Sequence, residues 1–264
     1  MQEIVLKVQD FDLGQTLDCG QAFRWNQIGE KKWQGVVQNY FCIAEQKGDA
    51  LYIQSNNCDE SFWADYFDLN RDYAVIKAEL SKNRVIAEAI KTSGGIHILK
   101  QDLWECLVSF IISANNNIPR IKKIIEALCM QLGVRNEELG ITYYTFPRAE
   151  DIVGKDLSSI KAGFRAKYIS ELAERVTTGA VKLEGIDKAG LCDIKGVGNK
   201  IADCVRLFAL GDMSSFPVDV WIERIMENEF ELGGMTVQGF AMAEFGEYAG
   251  IAQQYLYNHY RNNI

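Results

Sequence analysis

The chain has 264 residues, enough to bury a substantial core as one large domain or two modest ones, and 48% of them are hydrophobic and 24% charged. We expect an intracellular protein with no membrane partner, because no stretch has the length of a membrane span or the layout of a signal peptide. Seven scattered cysteines and two histidines argue against a metal centre, and the net charge of -8 argues against nucleic acid unless a local basic surface supplies the cations.

The first 55 residues carry a strand pattern. Aromatic and β-branched residues alternate with polar ones, and the gaps have hairpin length. The pattern predicts an antiparallel sheet with one face in water, covered on the other by the aromatic-rich segment 59–69 and a helix over 72–80. The predicted strands are IVLKV, AFRWNQ, KKWQGVVQ, YFCIAEQ and ALYIQS.

The strand signal ends near Asn83, and apolar residues then recur at helical spacing up to the C-terminus, with an irregular segment at 133–147. The fold class is therefore α+β. We predict an N-terminal antiparallel sheet domain with covering helices over 1–95 and an all-helical domain over 96–264. The predicted helices include KNRVIAEAIKTS, QDLWECLVSFIISA, IPRIKKIIEALCMQLG, GFRAKYISELAERVTTG, WIERIMENEF and EYAGIAQQYLYNHYR.

The segment 191–209 has the pattern of a helix-hairpin-helix. Two glycines around one valine, Gly196-Val197-Gly198, separate two apolar-periodic segments. Glycine adopts backbone angles that other residues resist, and it lets bare amides approach a ligand. Amides at a helix start bind anions, which makes a phosphodiester the first candidate, although such turns also join helices that bind nothing.

Lys200 and Asp219 are the candidate chemical groups. Lys200 lies in the first turn of the second hairpin helix, where the helix dipole and burial disfavour its charged form, and an uncharged lysine can form an imine with a sugar carbon. A phosphate contact is the alternative role. Asp219 precedes a helix, where it would be an N-cap, or it would accept the lysine's proton and stabilise positive charge on a sugar ring.

Four segments together resemble the 8-oxoguanine DNA glycosylases of the helix-hairpin-helix DNA glycosylase superfamily. They are DCGQAFRW, SFIISANNNIPRI, GFRAKY, and GVGNKIADC with PVDVW, and they span nearly the whole chain. The resemblance implies a bifunctional DNA glycosylase and abasic-site lyase for base excision repair. Its partner would be double-stranded DNA that contains an oxidised purine, whose nucleotide is swung out of the duplex.

In this family pattern, Lys200 would attack the sugar C1′, expel the base and form a Schiff base, after which β-elimination cuts the strand. Asp219 would stabilise the oxocarbenium-like transition state. We expect a monomer without a cofactor. We also expect a cytoplasmic location, at the nucleoid if the source is bacterial.

The resemblance also implies residues that recognise the damaged base. Gly20 matches the glycine whose carbonyl accepts the N7 hydrogen of the oxidised guanine, although a hairpin bend alone would also need a glycine. Gln253 and Tyr257 lie one helical turn apart and would read the Watson–Crick edge and cover one face of the base. Cys204 would lie on the other face, and a small buried filler is the alternative.

A second set matches the family's contacts to the DNA itself. Asn115, Arg120 and Arg165 correspond to positions that fill the gap left by the extruded base and recognise the opposite cytosine. Phe164 stands where a tyrosine wedge is common, and Trp221 stands where a histidine often touches phosphate. The hairpin residues expected to contact the DNA backbone are Gly196, Val197 and Gly198.

Two other functions compete with this one. Another branch of the superfamily would act on a different damaged base, but the chain lacks the cysteine-rich loop of the iron–sulfur branch, and the alkylpurine branch usually lacks the lysine. A non-catalytic DNA-binding protein would use the hairpin only for backbone contact. The presence of both Lys200 and Asp219 disfavours that alternative.

Overall fold

The computed structural model describes residues 2–262. Five N-terminal strands form an antiparallel sheet, as predicted, and the structure gives their order as β1-β5-β4-β3-β2. Side chains of β3 and β5 alternate between buried and partly exposed positions, because successive residues of a strand point to opposite faces. The strands are β1 Gln2–Lys7, β2 Trp25–Gly29, β3 Lys32–Val37, β4 Tyr40–Lys47 and β5 Ala50–Ser55.

Two short helices cover the buried face of the sheet. Helix α1 (Leu13–Asp18), which was not predicted, begins at the capping side chain of Asp12, and α2 (Glu60–Tyr66) supplies Trp63 to the core. The prediction that the helix over 72–80 also covers the sheet was wrong. Helix α3 (Tyr73–Leu80) packs its buried residues into the larger helical core, away from the sheet.

The remaining helices build that larger core. Seven residues of α5 are buried, so this helix runs through its centre, and α13 packs against α4. The helices are α4 Arg84–Ser93, α5 Leu103–Ser113, α6 Ile118–Leu132, α7 Ala149–Ile152, α8 Arg165–Thr177, α9 Lys188–Cys192, α10 Asn199–Phe208, α11 Val220–Glu229, α12 Val237–Phe245 and α13 Ala249–Asn262, with 3-10 turns at Ser158–Ile160 and Gly246–Tyr248.

The C-terminal part is not all-helical, which corrects the prediction for 133–147. Strands β6 (Arg135–Glu138) and β7 (Ile141–Tyr144) form a hairpin whose two turn residues, Leu139 and Gly140, both have positive φ. This β-hairpin packs against the outer face of the N-terminal sheet, where the ring centres of Phe41 and Tyr143 are 5.3 Å apart.

Residues 19–24 join the sheet to the helices. Cys19 and Phe23 belong to the helical core, while the side chain of Gln21 bonds to the His97 carbonyl (2.8 Å) and the Leu99 amide (2.9 Å). The segment is therefore fixed at the junction. A domain division at residue 95 stays a prediction, because the helical core draws side chains from both sides of it.

Candidate active site

A cleft of about 980 Å³ opens between the α5–α6 turn and helices α10, α11, α12 and α13. Four helices, α6, α10, α11 and α12, begin at its wall, so the positive ends of four helix dipoles meet there. Of the residues singled out in the sequence, those that line the cleft are Gly20, Asn115, Gly198, Lys200, Asp219, Trp221 and Tyr257.

Lys200 lies half-buried in the first turn of α10, as predicted. Its Nζ is 5.1 Å from the centre of the Phe110 ring, and it shares a hydrogen bond with the Cys204 thiol one turn further along. Burial raises the pKa of Cys204 to about 11, although the positive charge of Lys200 and this hydrogen bond act in the opposite direction. An aromatic face and a thiol therefore hold the amine.

Asp219 caps helix α11 and also lines the cleft. Its Oδ1 accepts hydrogen bonds from the amides of Trp221 (3.0 Å) and Ile222 (2.9 Å). Both bonds end on one oxygen, so the cap does not need Oδ2. The fold brings Asp219 and Lys200 to one cavity from the first turns of two helices, and the two interpretations of Asp219 are compatible.

Tyr257 stands beside both charges. Burial raises its pKa, the negative charge of Asp219 adds to the shift, and the positive charge of Lys200 opposes it. The ring also lies against Gly20, whose φ is +82°; a β-carbon there would be 3.6 Å from the Tyr257 ring. Glycine is needed at position 20 for its backbone conformation, and its backbone lies at the cleft wall.

Gln253 does not line the open cleft. It is buried one turn before Tyr257 on α13, and its Oε1 accepts a hydrogen bond from Gln254 Nε2 (2.7 Å). Cys204 is likewise buried and absent from the cleft wall. Both residues adjoin groups that do line the cleft, Tyr257 for Gln253 and Lys200 for Cys204.

The hairpin glycines have different structural reasons. Gly196 has a φ of +90°, and a β-carbon there would be 2.5 Å from Cδ2 of Tyr168. Gly198 is extended and faces open space at the start of α10, which has no side-chain cap. Val197 is buried, and its amide already donates to the Ile194 carbonyl (2.9 Å). The amides left for an anion therefore lie at the α10 start, after Val197.

The residues predicted to contact the opposite strand lie in different environments. Asn115, with a φ of +47°, Arg120 and Phe164 are exposed. Arg165 is buried, and its guanidinium donates to the carbonyls of Ala114 (2.8 Å), Asn115 (3.1 Å) and Ala162 (3.2 Å). Burial lowers the pKa of Arg165, and the charge of Arg120 adds to the shift.

Sequence reasoning missed several residues of the cleft. Phe110 lies in the predicted helix QDLWECLVSFIISA, and helical spacing of apolar residues does not reveal which of them faces a cavity. Phe23 also lines the cleft, within the matched segment DCGQAFRW. Glu223 and Glu227 follow Asp219 at four-residue steps on α11 and line it too; that spacing was the signal that could have found them.

Comparison with known proteins gives the family. Residues 3–107 match the family model of the 8-oxoguanine DNA glycosylase N-terminal domain, and residues 108–236 match that of the HhH-GPD superfamily base excision DNA repair proteins. A protein of Methanothermobacter thermautotrophicus named Probable N-glycosylase/DNA lyase is 30% identical, and the match covers 98% of this chain and 96% of that one.

Solved structures agree with this match. MBOgg1 in complex with a low-affinity DNA ligand is 41% identical with a TM-score of 0.94, over 100% of this chain and 96% of that one. The Clostridium acetobutylicum 8-oxoguanine glycosylase/lyase, bound to duplex DNA with cytosine opposite 8-oxoguanine, is 35% identical with a TM-score of 0.94, over 99% and 96%. The chain therefore belongs to the 8-oxoguanine DNA glycosylase family.

Proposed function

We propose that this protein excises 8-oxoguanine from duplex DNA and then cuts the strand at the abasic site, with Lys200 as the nucleophile. The observation that carries the proposal is the meeting of Lys200 and Asp219 in one cleft, within a chain of the 8-oxoguanine DNA glycosylase family. The cleft volume of about 980 Å³ leaves room for a whole nucleotide swung out of the duplex.

The reaction starts when the uncharged Lys200 amine attacks C1′ of the extruded nucleotide. The bond from C1′ to the base breaks, and its electron pair leaves with the base, which takes up a proton. Opening of the sugar ring then gives a protonated imine between Nζ and C1′. Loss of a proton from C2′ expels the 3′ phosphate and cuts the strand.

Asp219 supplies the negative charge for this reaction. Positive charge builds on the sugar ring as the base departs, and a carboxylate held in place by two backbone amides stabilises it without having to reorganise. The same carboxylate is a suitable acceptor for the Lys200 proton. Both roles are supported by the position of Asp219 at the start of α11, on the wall of the cleft that Lys200 also lines.

Four residues would then recognise the base. The Gly20 backbone, open at the cleft wall, would accept the N7 hydrogen that only the oxidised guanine carries, and the Tyr257 ring would cover one face. Gln253 would offer its amide to the Watson–Crick edge, since its Oε1 is already engaged by Gln254. Cys204 would adjoin the other face through its contact with Lys200.

DNA contacts would divide between the hairpin and the opposite-strand residues. The amides at the uncapped start of α10, with Gly196 and Gly198 beside them, would hold a phosphate, and Val197 would anchor the turn from inside. Asn115 and Phe164 are exposed and suited to fill the gap in the duplex, and Arg120 is exposed for the opposite cytosine. Arg165 would reach that base only by exchanging its carbonyl partners.

The setting of the activity follows from the same proposal. The protein would act as a monomer on duplex DNA, without a cofactor, in the cytoplasm, and at the nucleoid if the source is bacterial. No helix in residues 2–262 combines the length and apolarity that crossing a membrane requires.

Borohydride trapping tests the nucleophile. Reduction of the imine should join wild-type protein covalently to a duplex that contains 8-oxoguanine. Lys200→Gln should abolish both the adduct and base release, by roughly a thousandfold or more, because Lys200 is the only lysine among the described residues that line the cleft. Excision opposite each of the four bases should be measured alongside.

Lys195→Gln is the matched control. Lys195 lies in the same hairpin, is exposed and pairs with Glu171 at 3.1 Å, so its loss should leave trapping nearly unchanged. Normal trapping by Lys200→Gln would assign the nucleophile to another residue. Binding without any adduct from the wild-type protein would favour a non-catalytic DNA-binding function.

A further inference from the structure

The amine of Lys200 rests above an aromatic stack. Nζ is 5.1 Å from the centre of the Phe110 ring, within the range of a cation–π interaction. Phe110 is itself held in place: Phe208 stacks behind it, with ring centres 5.5 Å apart and 15° between the planes, and Phe23 meets it edge-on at 5.5 Å. All three rings are buried, so the face beneath the amine is rigid.

We propose that Phe110 is a positioning residue for the lyase step, whose ring face holds the charged nitrogen of the Lys200 imine. The inference rests on the proposed function of Lys200. The ring attracts a cationic nitrogen and has little attraction for a neutral one, so it favours the protonated imine over the neutral imine. Only the protonated imine withdraws electrons strongly enough to release the C2′ proton.

Base excision should depend on the ring differently. Attack on C1′ requires the uncharged amine, which gains little from a cation–π contact, so for this step the ring chiefly fixes the position of the nitrogen. In β-elimination the reacting species is cationic. The C2′–H electron pair forms a double bond to C3′ as the C3′–O bond breaks, and the phosphate leaves with that pair. Charge on the ring face should therefore affect elimination more than excision.

Fluorinated phenylalanines at position 110 test this difference. Fluorine withdraws electron density from the face of the ring while nearly preserving its size. A series from one to three fluorines should therefore leave folding and the position of Lys200 Nζ unchanged. We expect β-elimination on a preformed abasic duplex to fall stepwise, by roughly 2- to 30-fold for the trifluoro ring. Single-turnover release of 8-oxoguanine should change by less than about twofold, since attack uses the neutral amine.

The same series at Phe208 is the matched control, because that ring stacks behind Phe110 and does not line the cleft. Both rates should stay constant there. A flat series at position 110, a parallel fall of both rates, or an equal fall at position 208 would overturn the proposal. If the wild-type protein forms no borohydride adduct, the proposed function of Lys200 is refuted instead. Failure of the Phe110 proposal and failure of the proposed function are therefore distinguishable.

Discussion

Under the proposed function, the side chain of Asp219 would serve both stability and chemistry. One carboxylate oxygen accepts hydrogen bonds from two amides at the start of α11, and this capping fixes the carboxylate at the wall of the cleft that Lys200 also lines. A charge that is held before the substrate arrives costs no reorganisation during the reaction. A catalytic carboxylate at an N-cap is therefore positioned by the same bonds that stabilise its helix.

Two substitutions separate these roles. Asparagine is as good an N-cap as aspartate, so Asp219→Asn should leave the free energy of unfolding within about 0.5 kcal/mol of wild type while base excision falls by roughly 100-fold or more. Asp219→Ala should lose the cap as well, at about 1 kcal/mol. Urea unfolding and single-turnover excision measure the two effects. If Asp219→Asn excises at the wild-type rate, the carboxylate has no electrostatic role.

At the scale of an element, the turn of the helix-hairpin-helix also divides between a structural role and a proposed functional one. Gly196 is fixed by its backbone angle and by the Tyr168 ring, whereas Gly198 meets neither constraint and instead leaves the start of α10 uncapped. One glycine shapes the turn, and the other keeps amides open. In the sequence, Gly196 and Gly198 could not be told apart, because the pattern Gly-Val-Gly suggests the same role for both glycines.

Gly196→Ala and Gly198→Ser should therefore act in opposite ways. Alanine at 196 should cost about 2 kcal/mol of stability, since it meets both an unfavourable φ and the Tyr168 ring. Serine at 198 would cap α10 and add a few tenths of a kcal/mol, yet occupy amides proposed for phosphate and weaken DNA binding by about 1 kcal/mol. Thermal unfolding and fluorescence anisotropy with duplex DNA test the pair. Unchanged affinity for Gly198→Ser would remove the phosphate site from this turn.

Much of this architecture could be predicted from periodicity, and particular elements show where that fails. The strands of the sheet and the helices around the hairpin follow their apolar spacing. The helix over 72–80 was predicted correctly, but its packing partner was not, because the apolar face of a helix does not specify which element covers it. The β6–β7 hairpin was missed since Leu139, unlike asparagine or glycine, seldom takes the left-handed conformation of its turn. The burial of the Arg165 side chain could not be predicted, because it depends on hydrogen bonds to the carbonyls of Ala114 and Asn115, which are distant in the sequence.

At the scale of the whole molecule, the net charge of -8 must be reconciled with the proposed binding of DNA at the cleft. The starts of α6, α10, α11 and α12 contribute partial positive charge at one wall, in addition to Lys200. Glu223 and Glu227 on the same wall oppose it. We therefore expect the local balance of dipoles and side chains, rather than total charge, to govern DNA binding.

Replacing Glu223 and Glu227 should show whether local charge at the cleft wall controls DNA affinity. Glu223→Gln with Glu227→Gln should raise affinity for duplex DNA by roughly 3- to 10-fold at low salt, and less at high salt, because screening weakens repulsion from phosphates. Glu30→Gln with Glu60→Gln changes net charge equally on the sheet domain, away from the cleft, and should have little effect. Binding titrations at two salt concentrations provide the measurement. Equal gains from both pairs would mean that total charge is what matters.

Trp221 gives the molecule an optical property that its sequence position alone does not reveal. Trp25, Trp33 and Trp63 are buried and Trp104 is partly so, whereas Trp221 is half exposed where the cleft opens. An indole at that rim changes its emission when a neighbouring base or sugar displaces water from it, while the interior indoles provide a constant background. The unlabelled protein thus carries its own fluorophore for following, in real time, the arrival and departure of a nucleotide.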